Sequence, residues 1–306
     1  MRIAFLGTSA FAVPALRAVA VHHEVSLVVT QPDRPAGRHA VLAPPPVKSA
    51  ASALGLPVFQ PERVSQPDAV ARLREARPDV LVVAAYGQIL REAAFQSAPL
   101  GAINIHASLL PRYRGAAPIN WAIARGETTT GVTTFVIDRG MDTGPMLLAR
   151  PLTIGPEETA GELEARLAVL GAEAIVETLA GLADGSLEPI PQPEGATLAP
   201  KLDRGHGRID WTQPARDVHN LVRGMTPWPG AWTPLDGGRA KIHRTARTEI
   251  AVGPLSPGSV GPRVSGRLLV ACGDRLLEIL EIQRDGRARA TGSEFLNGLR
   301  PGVAFG

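Results

Sequence analysis

Cysteine is nearly absent. Cys272 is the single one in 306 residues, which excludes an internal disulfide framework and any metal cluster built on thiolates. Lysine is almost as scarce: Lys48, Lys201 and Lys241 are the only three, so arginine carries nearly all the positive charge. Long apolar runs are missing too. The longest, Val80 to Ala85, has the size of a strand, far short of the ~18 residues of a membrane span. Met1-Arg2 leads straight into Ile-Ala-Phe-Leu without the layout of a secretory signal, so no membrane association and a cytoplasmic location are expected. Neither Gly-x-Gly-x-x-Gly nor a Walker motif occurs, which favours a tight turn at Gly7-Thr8-Ser9 over a nucleotide cradle.

What is present is globular. The chain is 44% hydrophobic and 20% charged, with a net charge of +3. Its length suggests two domains. Residues 1–189 hold 16 basic and 18 acidic side chains, and residues 190–306 hold 16 and 11. The basic surplus of the second part fits a module that binds a polyanion, or compositional drift.

Short apolar strands alternate with helical stretches over the first 181 residues: Arg2 to Gly7, Glu24 to Thr30, Val80 to Ala85 and Gly101 to His106 as strands, and Thr159 to Gly181 as a long helix. Thr130 to Asp138 alternates as a half-exposed strand does. Gln31 to Pro46, with five prolines, reads as a long loop. The pattern predicts an α/β fold with a Rossmann-like, mostly parallel, doubly wound sheet. Ile190 to Leu202 is rich in proline and glycine and reads as a linker; short strands between Gly/Pro turns follow, the pattern of a small β-barrel. The expected division is a catalytic domain over 1–189, a linker over 190–204 and a barrel domain over 205–306.

Three stretches carry candidate chemistry. Asn104-x-His106 closes a predicted strand, and residues two apart share a strand face. An amide donor beside an imidazole suits a developing oxyanion; a polar pair satisfied at a strand end is the alternative. The loop Asp138 to Pro145 offers Asp142 as a carboxylate for acid/base work, although turn chemistry alone accounts for its Asp and Gly. No further ligands at metal spacing accompany His106 and Asp142, so no metal is expected. Ser108 to Pro118 sets Arg112 and Arg114 around Tyr113, suited to an anionic partner or to a solvated loop.

The run NIHASLLPRYRGAAPINWAI followed by GMDTGPML resembles the formyl-tetrahydrofolate-dependent transferases. LGTSAFAVPAL, QPDRPAGR, PPVK, AAYGQIL, GRIDW and TPWPGAW resemble the branch of that family acting on methionyl-tRNA, over nearly the whole chain. The resemblance implies formyl transfer from 10-formyltetrahydrofolate to the α-amine of methionyl initiator tRNA, by a monomer. It implies Asn104, His106 and Asp142 as the catalytic residues. Tyr86, Gly87, Gln88, Ile89 and Leu90 with Asp138, Gly140 and Met141 are expected around the pterin. Ser108, Leu109, Leu110 and Pro111 are expected as the folate-contacting turn. It also implies an OB-like barrel that binds tRNA, with Arg34, Arg38, Lys48, Lys201, Arg204 and Arg208 as candidate contacts. One departure stands out: members of the family carry lysines after the Gly-Arg pair, whereas here Gly37-Arg38 is followed by His39-Ala40-Val41. A sugar-nucleotide formyltransferase would share the Asn/His/Asp centre but not this C-terminal module. A folate hydrolase of the family would need a further large domain. An idle RNA-binding protein would not need to keep all three residues.

Overall fold

The computed structural model describes residues 1–36, 41–300 and 302–306. In chain order the elements of the first part are β1 (Arg2–Gly7), α1 (Val13–His22), β2 (Glu24–Val29), β3 (Arg34–Ala36), β4 (Val41–Ala43), α2 (Pro46–Ala53), β5 (Val58–Phe59), α3 (Pro67–Glu75), β6 (Val80–Ala84), α4 (Glu92–Phe95), β7 (Ala102–His106), β8 (Arg114–Gly115), α5 (Pro118–Ala124), β9 (Thr129–Val136), β10 (Met146–Thr153) and α6 (Ala160–Asp184). Then follow β11 (Leu198–Ala199), α7 (Ala215–Gly224), β12 (Ala231–Leu235), β13 (Gly238–Ala251), β14 (Leu268–Ala271), β15 (Arg275–Arg284), β16 (Ala290–Thr291) and α8 (Gly292–Asn297).

The chain folds into two compact units. One comprises 1–115, 130–153 and 164–198; the other comprises 116–129, 154–163 and 199–306. The first unit is built on a seven-stranded sheet of order β10-β9-β7-β6-β1-β2-β5. β5, β2, β1, β6 and β7 run parallel, and β9 runs antiparallel to β7. β6 is apolar and buried over its whole length because it lies inside the sheet with both faces covered. Leu6, Val29, Leu81 and Val83 pack with Val70 and Leu73 of α3 in one cluster.

Two strand expectations need correction. β9 is not half-exposed: Thr130 to Phe135 are all buried. The hydroxyls of Thr133 and Thr134 make that tolerable, since both find partners inside the fold. Thr133 Oγ1 donates to Ser108 O at 2.7 Å, and Thr134 Oγ1 meets Thr178 Oγ1 at 2.7 Å. Residues 31–46 are also not one irregular loop. β3 and β4 pair antiparallel, with Arg34 opposite Ala43, and α2 begins at Pro46. Proline hid this ribbon from the sequence reading; Pro35 fits because a two-stranded ribbon leaves outer edges that need no donor. Arg38 lies outside the described residues.

The second unit holds an antiparallel sheet of order β12-β13-β15-β14, with β16 also on β15. Register shifts in β13 near Arg244 and beyond Arg247 bend it, as bulges do. Ile242, Leu268, Val270, Leu277 and Ile279 from this sheet join Val218 and Val222 of α7 in one core. Cys272 belongs to that core, where burial and nearby Asp274 push its thiol up to about 12. Two earlier segments complete the unit. α5 approaches α7 closely at Gly224, where an added Cβ would lie 2.9 Å from Ala124 N. Asn120 Nδ2 donates to Gly224 O at 2.8 Å. The buried Arg223 guanidinium donates to Gly155 O at 3.1 Å and Glu158 O at 3.2 Å.

Candidate active site

β7 carries Asn104 and His106 on one face to the carboxyl end of the parallel strands, where open α/β sheets place their ligands. His106 is 5% exposed. Its Nε2 donates to Tyr113 O at 2.9 Å, since a carbonyl only accepts. Its Nδ1 lies 3.7 Å from Asp142 Oδ2. Phe135 stands edge-on to the ring at 6.3 Å. Asn104 is partly exposed, and its carboxamide bonds to no protein group among the described residues. The structure thus brings His106 and Asp142 together, and β7 carries Asn104 on the same strand face as His106.

Asp142 is held by its backbone. It sits at φ 53, in the left-handed region, and its Oδ2 accepts from Gly115 N at 2.7 Å. Gly144, two residues on, is required: a Cβ there would come within 1.7 Å of Val136 O. Asp138 is used within the loop. Its Oδ1 accepts from Gly140 N at 2.9 Å and Thr143 Oγ1 at 2.7 Å, so it shapes the turn that presents Met141, 66% exposed.

The Ser108–Pro111 turn is internally bonded as well. Ser108 is buried and its Oγ donates to Arg112 O at 2.6 Å. Thr133 Oγ1 receives Leu110 N at 3.1 Å, and Leu110-Pro111 is cis. Leu109 remains partly exposed.

The stretch Tyr86–Leu90 follows β6. Tyr86 is 2% exposed and its hydroxyl has no hydrogen-bond partner among the described residues. Burial pushes that phenol above its usual range, so it stays neutral and able to donate. Gly87 adopts φ 83. Gln88 faces Val64 and the 61–62 backbone: its Oε1 accepts from Val64 N at 2.9 Å and its Nε2 donates to Glu62 O at 3.2 Å. Ile89 is 84% exposed while Leu90 is buried. Among the described residues no three His, Cys, Asp or Glu side chains gather as a metal-binding group. No helix among them is long and apolar enough to cross a membrane.

Several groups that serve this site escaped the sequence reading: the carbonyl of Tyr113, the N–H of Gly115, and the side chains of Thr133, Gln192 and Thr197. Backbone groups carry no residue-type signal. Gln192 and Thr197 lie in the stretch that composition marks as a linker, yet Gln192 Nε2 donates to Asp142 O and Gly144 O, both at 2.8 Å. Thr197 Oγ1 receives Tyr113 N at 2.8 Å.

The candidate tRNA contacts divide. Lys48 Nζ donates to both carboxylate oxygens of Asp33 at 2.8 Å, and Arg34 pairs with Glu62 at 3.2 Å, so both charges are locally balanced. Lys201, Arg204 and Arg208 in the second unit are exposed and make no ion pair among the described residues. Arg204 also lines a cleft of about 280 Å³ with Trp228, Trp232, Arg239, Lys241 and one carboxylate, Asp285. Trp228 is 54% exposed, and the Arg239 guanidinium lies 4.5 Å over the Trp232 ring. That combination of cations and aromatic faces suits single-stranded nucleic acid.

Comparison with known proteins agrees with this geometry. Residues 1–179 match the formyl transferase family model, and residues 201–300 match the formyl transferase C-terminal domain model. A methionyl-tRNA formyltransferase of Solibacter usitatus is 54% identical over 302 residues, covering 98% of this chain and 96% of that one. One of Geobacter metallireducens is 47% identical over 310 residues, covering 100% and 99%. Among solved structures, HypX from Aquifex aeolicus in complex with tetrahydrofolic acid matches with a TM-score of 0.65 at 19% identity; 99% of this chain spans 48% of HypX. That likeness is one of fold. By its two matched domains and its near full-length relatives, the chain belongs to the formyl transferase family and, within it, to the methionyl-tRNA formyltransferases.

Proposed function

We propose that this protein transfers the formyl group of 10-formyltetrahydrofolate to the α-amino group of methionyl initiator tRNA, for translation initiation, as a cytoplasmic monomer. The observation that carries the reading is the His106–Asp142 pair beside the unpartnered Asn104 amide, in a chain 54% identical to a methionyl-tRNA formyltransferase. The residues present fit a folate co-substrate. Ile89 and Met141 offer exposed apolar surface, and the buried Tyr86 hydroxyl is a polar atom without a partner among the described residues. When bound, the folate supplies the formyl carbon.

Each residue has a task set by its chemistry. Asn104 donates an amide N–H to the formyl oxygen as that oxygen gains charge. His106 spends Nε2–H on Tyr113 O, which fixes the ring; Nδ1–H is the second donor, shared between Asp142 and the formyl oxygen. Asp142 faces the imidazole Nδ1 and takes, through a water, the proton that the attacking amine loses. The amine nitrogen forms its bond to the formyl carbon, the bond from that carbon to N10 breaks, and N10 leaves with the proton that Asp142 returns through the water. The net reaction needs no redox step.

The exposed Lys201, Arg204 and Arg208, with the Trp228–Trp232 cleft, are the proposed tRNA contacts; Arg38 completes the set from outside the described residues. The test is formyl transfer with charged initiator and elongator methionine tRNAs side by side. Transfer confined to the initiator supports the reading. Equal transfer to both removes initiator selectivity, and transfer to neither sinks it.

A further inference from the structure

The segment 190–199 lies against the site as a strap. Ile190 exchanges backbone hydrogen bonds with Met146, both at 2.8 Å. Arg114 N donates to Thr197 O at 2.8 Å. Most side chains between these ends are exposed; Gln192 is half-buried and turned to work. Its Nε2 donates to the carbonyls of Asp142 and Gly144, which flank Thr143, at 2.8 Å each. Its Oε1 accepts from Arg114 Nε at 3.0 Å and Nη2 at 2.6 Å.

Both loops that hold the His106–Asp142 pair therefore meet at one carboxamide. Residues 113–115 supply the carbonyl that takes His106 Nε2–H and the N–H that takes Asp142 Oδ2. Residues 142–144 supply the carboxylate. Asp142 stands in the left-handed region, a conformation that a residue with a Cβ keeps when its surroundings fix it. A carboxamide alone among side chains offers two N–H donors and an acceptor in one plane. Glutamate at this position would set carboxylate lone pairs against two carbonyl oxygens.

We propose that Gln192 is a positioning residue for formyl transfer: it fixes the separation of Asp142 from His106 by clamping the loops on either side. The inference rests on the function proposed above. It concerns turnover, since the hydrogen bonds of Gln192 go to Arg114, Asp142 and Gly144.

The experiment uses the full chain and two variants. Gln192→Met keeps the length and removes all four hydrogen bonds, and Gln192→Glu keeps only the acceptor. Turnover is expected to fall about tenfold or more in both, equivalent to about 1.4 kcal/mol. KM for formyl-tetrahydrofolate and methionyl-tRNA should each stay within about threefold, well under that tenfold step. The decisive readout is a double-mutant cycle with Asp142→Asn. If Gln192 acts through Asp142, Gln192→Met costs nothing more in that background; independent effects would multiply. Unchanged turnover, multiplicative losses, or loss of the folded state in both variants would each overturn the proposal. If the unaltered protein transfers no formyl group, the functional reading fails and the inference falls with it. If it transfers while the variants match it, the inference alone fails.

Discussion

At the scale of single residues, the site separates groups that act from groups that hold. Asn104 has no competing partner among the described residues, so its amide is available. His106 is anchored at one nitrogen and presented at the other. Replacing either by alanine is expected to lower turnover by about 100–1,000-fold, the usual cost of one lost oxyanion donor. Substrate KM values should move far less, and steady-state kinetics against each substrate will separate the two effects. Tyr86 gives a sharper contrast. Its buried hydroxyl has no partner among the described residues, and an unsatisfied buried polar group costs about 1–3 kcal/mol. Tyr86→Phe should leave thermal stability equal or higher. If the hydroxyl serves the folate, KM for formyl-tetrahydrofolate should rise while turnover at saturation holds. A loss of stability instead would mean that the hydroxyl is satisfied within the protein.

At the scale of elements, most of the parallel sheet is legible in the sequence because buried strands read as continuous apolar runs; Val80 to Ala84 is the clearest. α6 is legible by period, and its start by a capping box: Glu162 N donates to Thr159 Oγ1 at 3.3 Å, and Glu162 Oε2 accepts from Thr159 N at 2.8 Å. What escapes is structure whose partner is remote in sequence. Thr133 looks like the polar half of an alternating strand until Ser108 is seen to receive its hydroxyl. β12 includes Pro234, which its edge position tolerates. Gln192 has no local signature at all, because both loops it touches are some fifty residues or more away. Asn104 and His106 are legible for the opposite reason: their two-residue spacing is itself the geometry.

The capping box also supports a prediction on pH. Hydrogen bonds from the Thr159 backbone and hydroxyl hold the Glu162 carboxyl below its usual value. A depressed acid contributes stability above its unfolded value of about 4.3, and that contribution fades as pH falls through the lower folded value. Thr159→Ala should cost about 1 kcal/mol near neutrality, the usual worth of a cap. It should also flatten the loss of stability below about pH 4, the range in which a glutamate protonates. Urea midpoints from pH 3 to 7 would show this; an unchanged acid slope would dismiss the box as a contributor.

At the scale of the whole molecule, the two units do not follow the order of the chain. The second unit takes 116–129 and 154–163 from within the first part of the sequence. A cut at residue 199 therefore strips α5 of α7 and Arg223 of the carbonyls it serves. We expect a 1–199 fragment to expose the apolar side of Ala117, Trp121 and Ala124, bind hydrophobic dye and melt well below the intact chain. A fragment as stable as the full protein would show that α5 needs no partner. The exposed cations are better tested in the intact protein. Arg204→Ala and Arg208→Ala should each reduce the slope of log K for tRNA against log salt by about 0.7–0.9, one phosphate contact apiece. An unchanged slope would place the polyanion elsewhere.

The interleaving has a consequence for how the protein is made. A ribosome releases α5 before any of α7 exists, and roughly a hundred residues separate Pro118 from Ala215. At about 5–20 residues per second, Trp121 and its neighbours wait some 5–20 seconds for the surface that covers them. During that interval the central sheet can already assemble, while the second unit cannot begin to close. The nascent chain is thus most exposed to aggregation in mid-synthesis. Slowing elongation between codons 130 and 215 should lower the soluble yield more than an equal pause before codon 115.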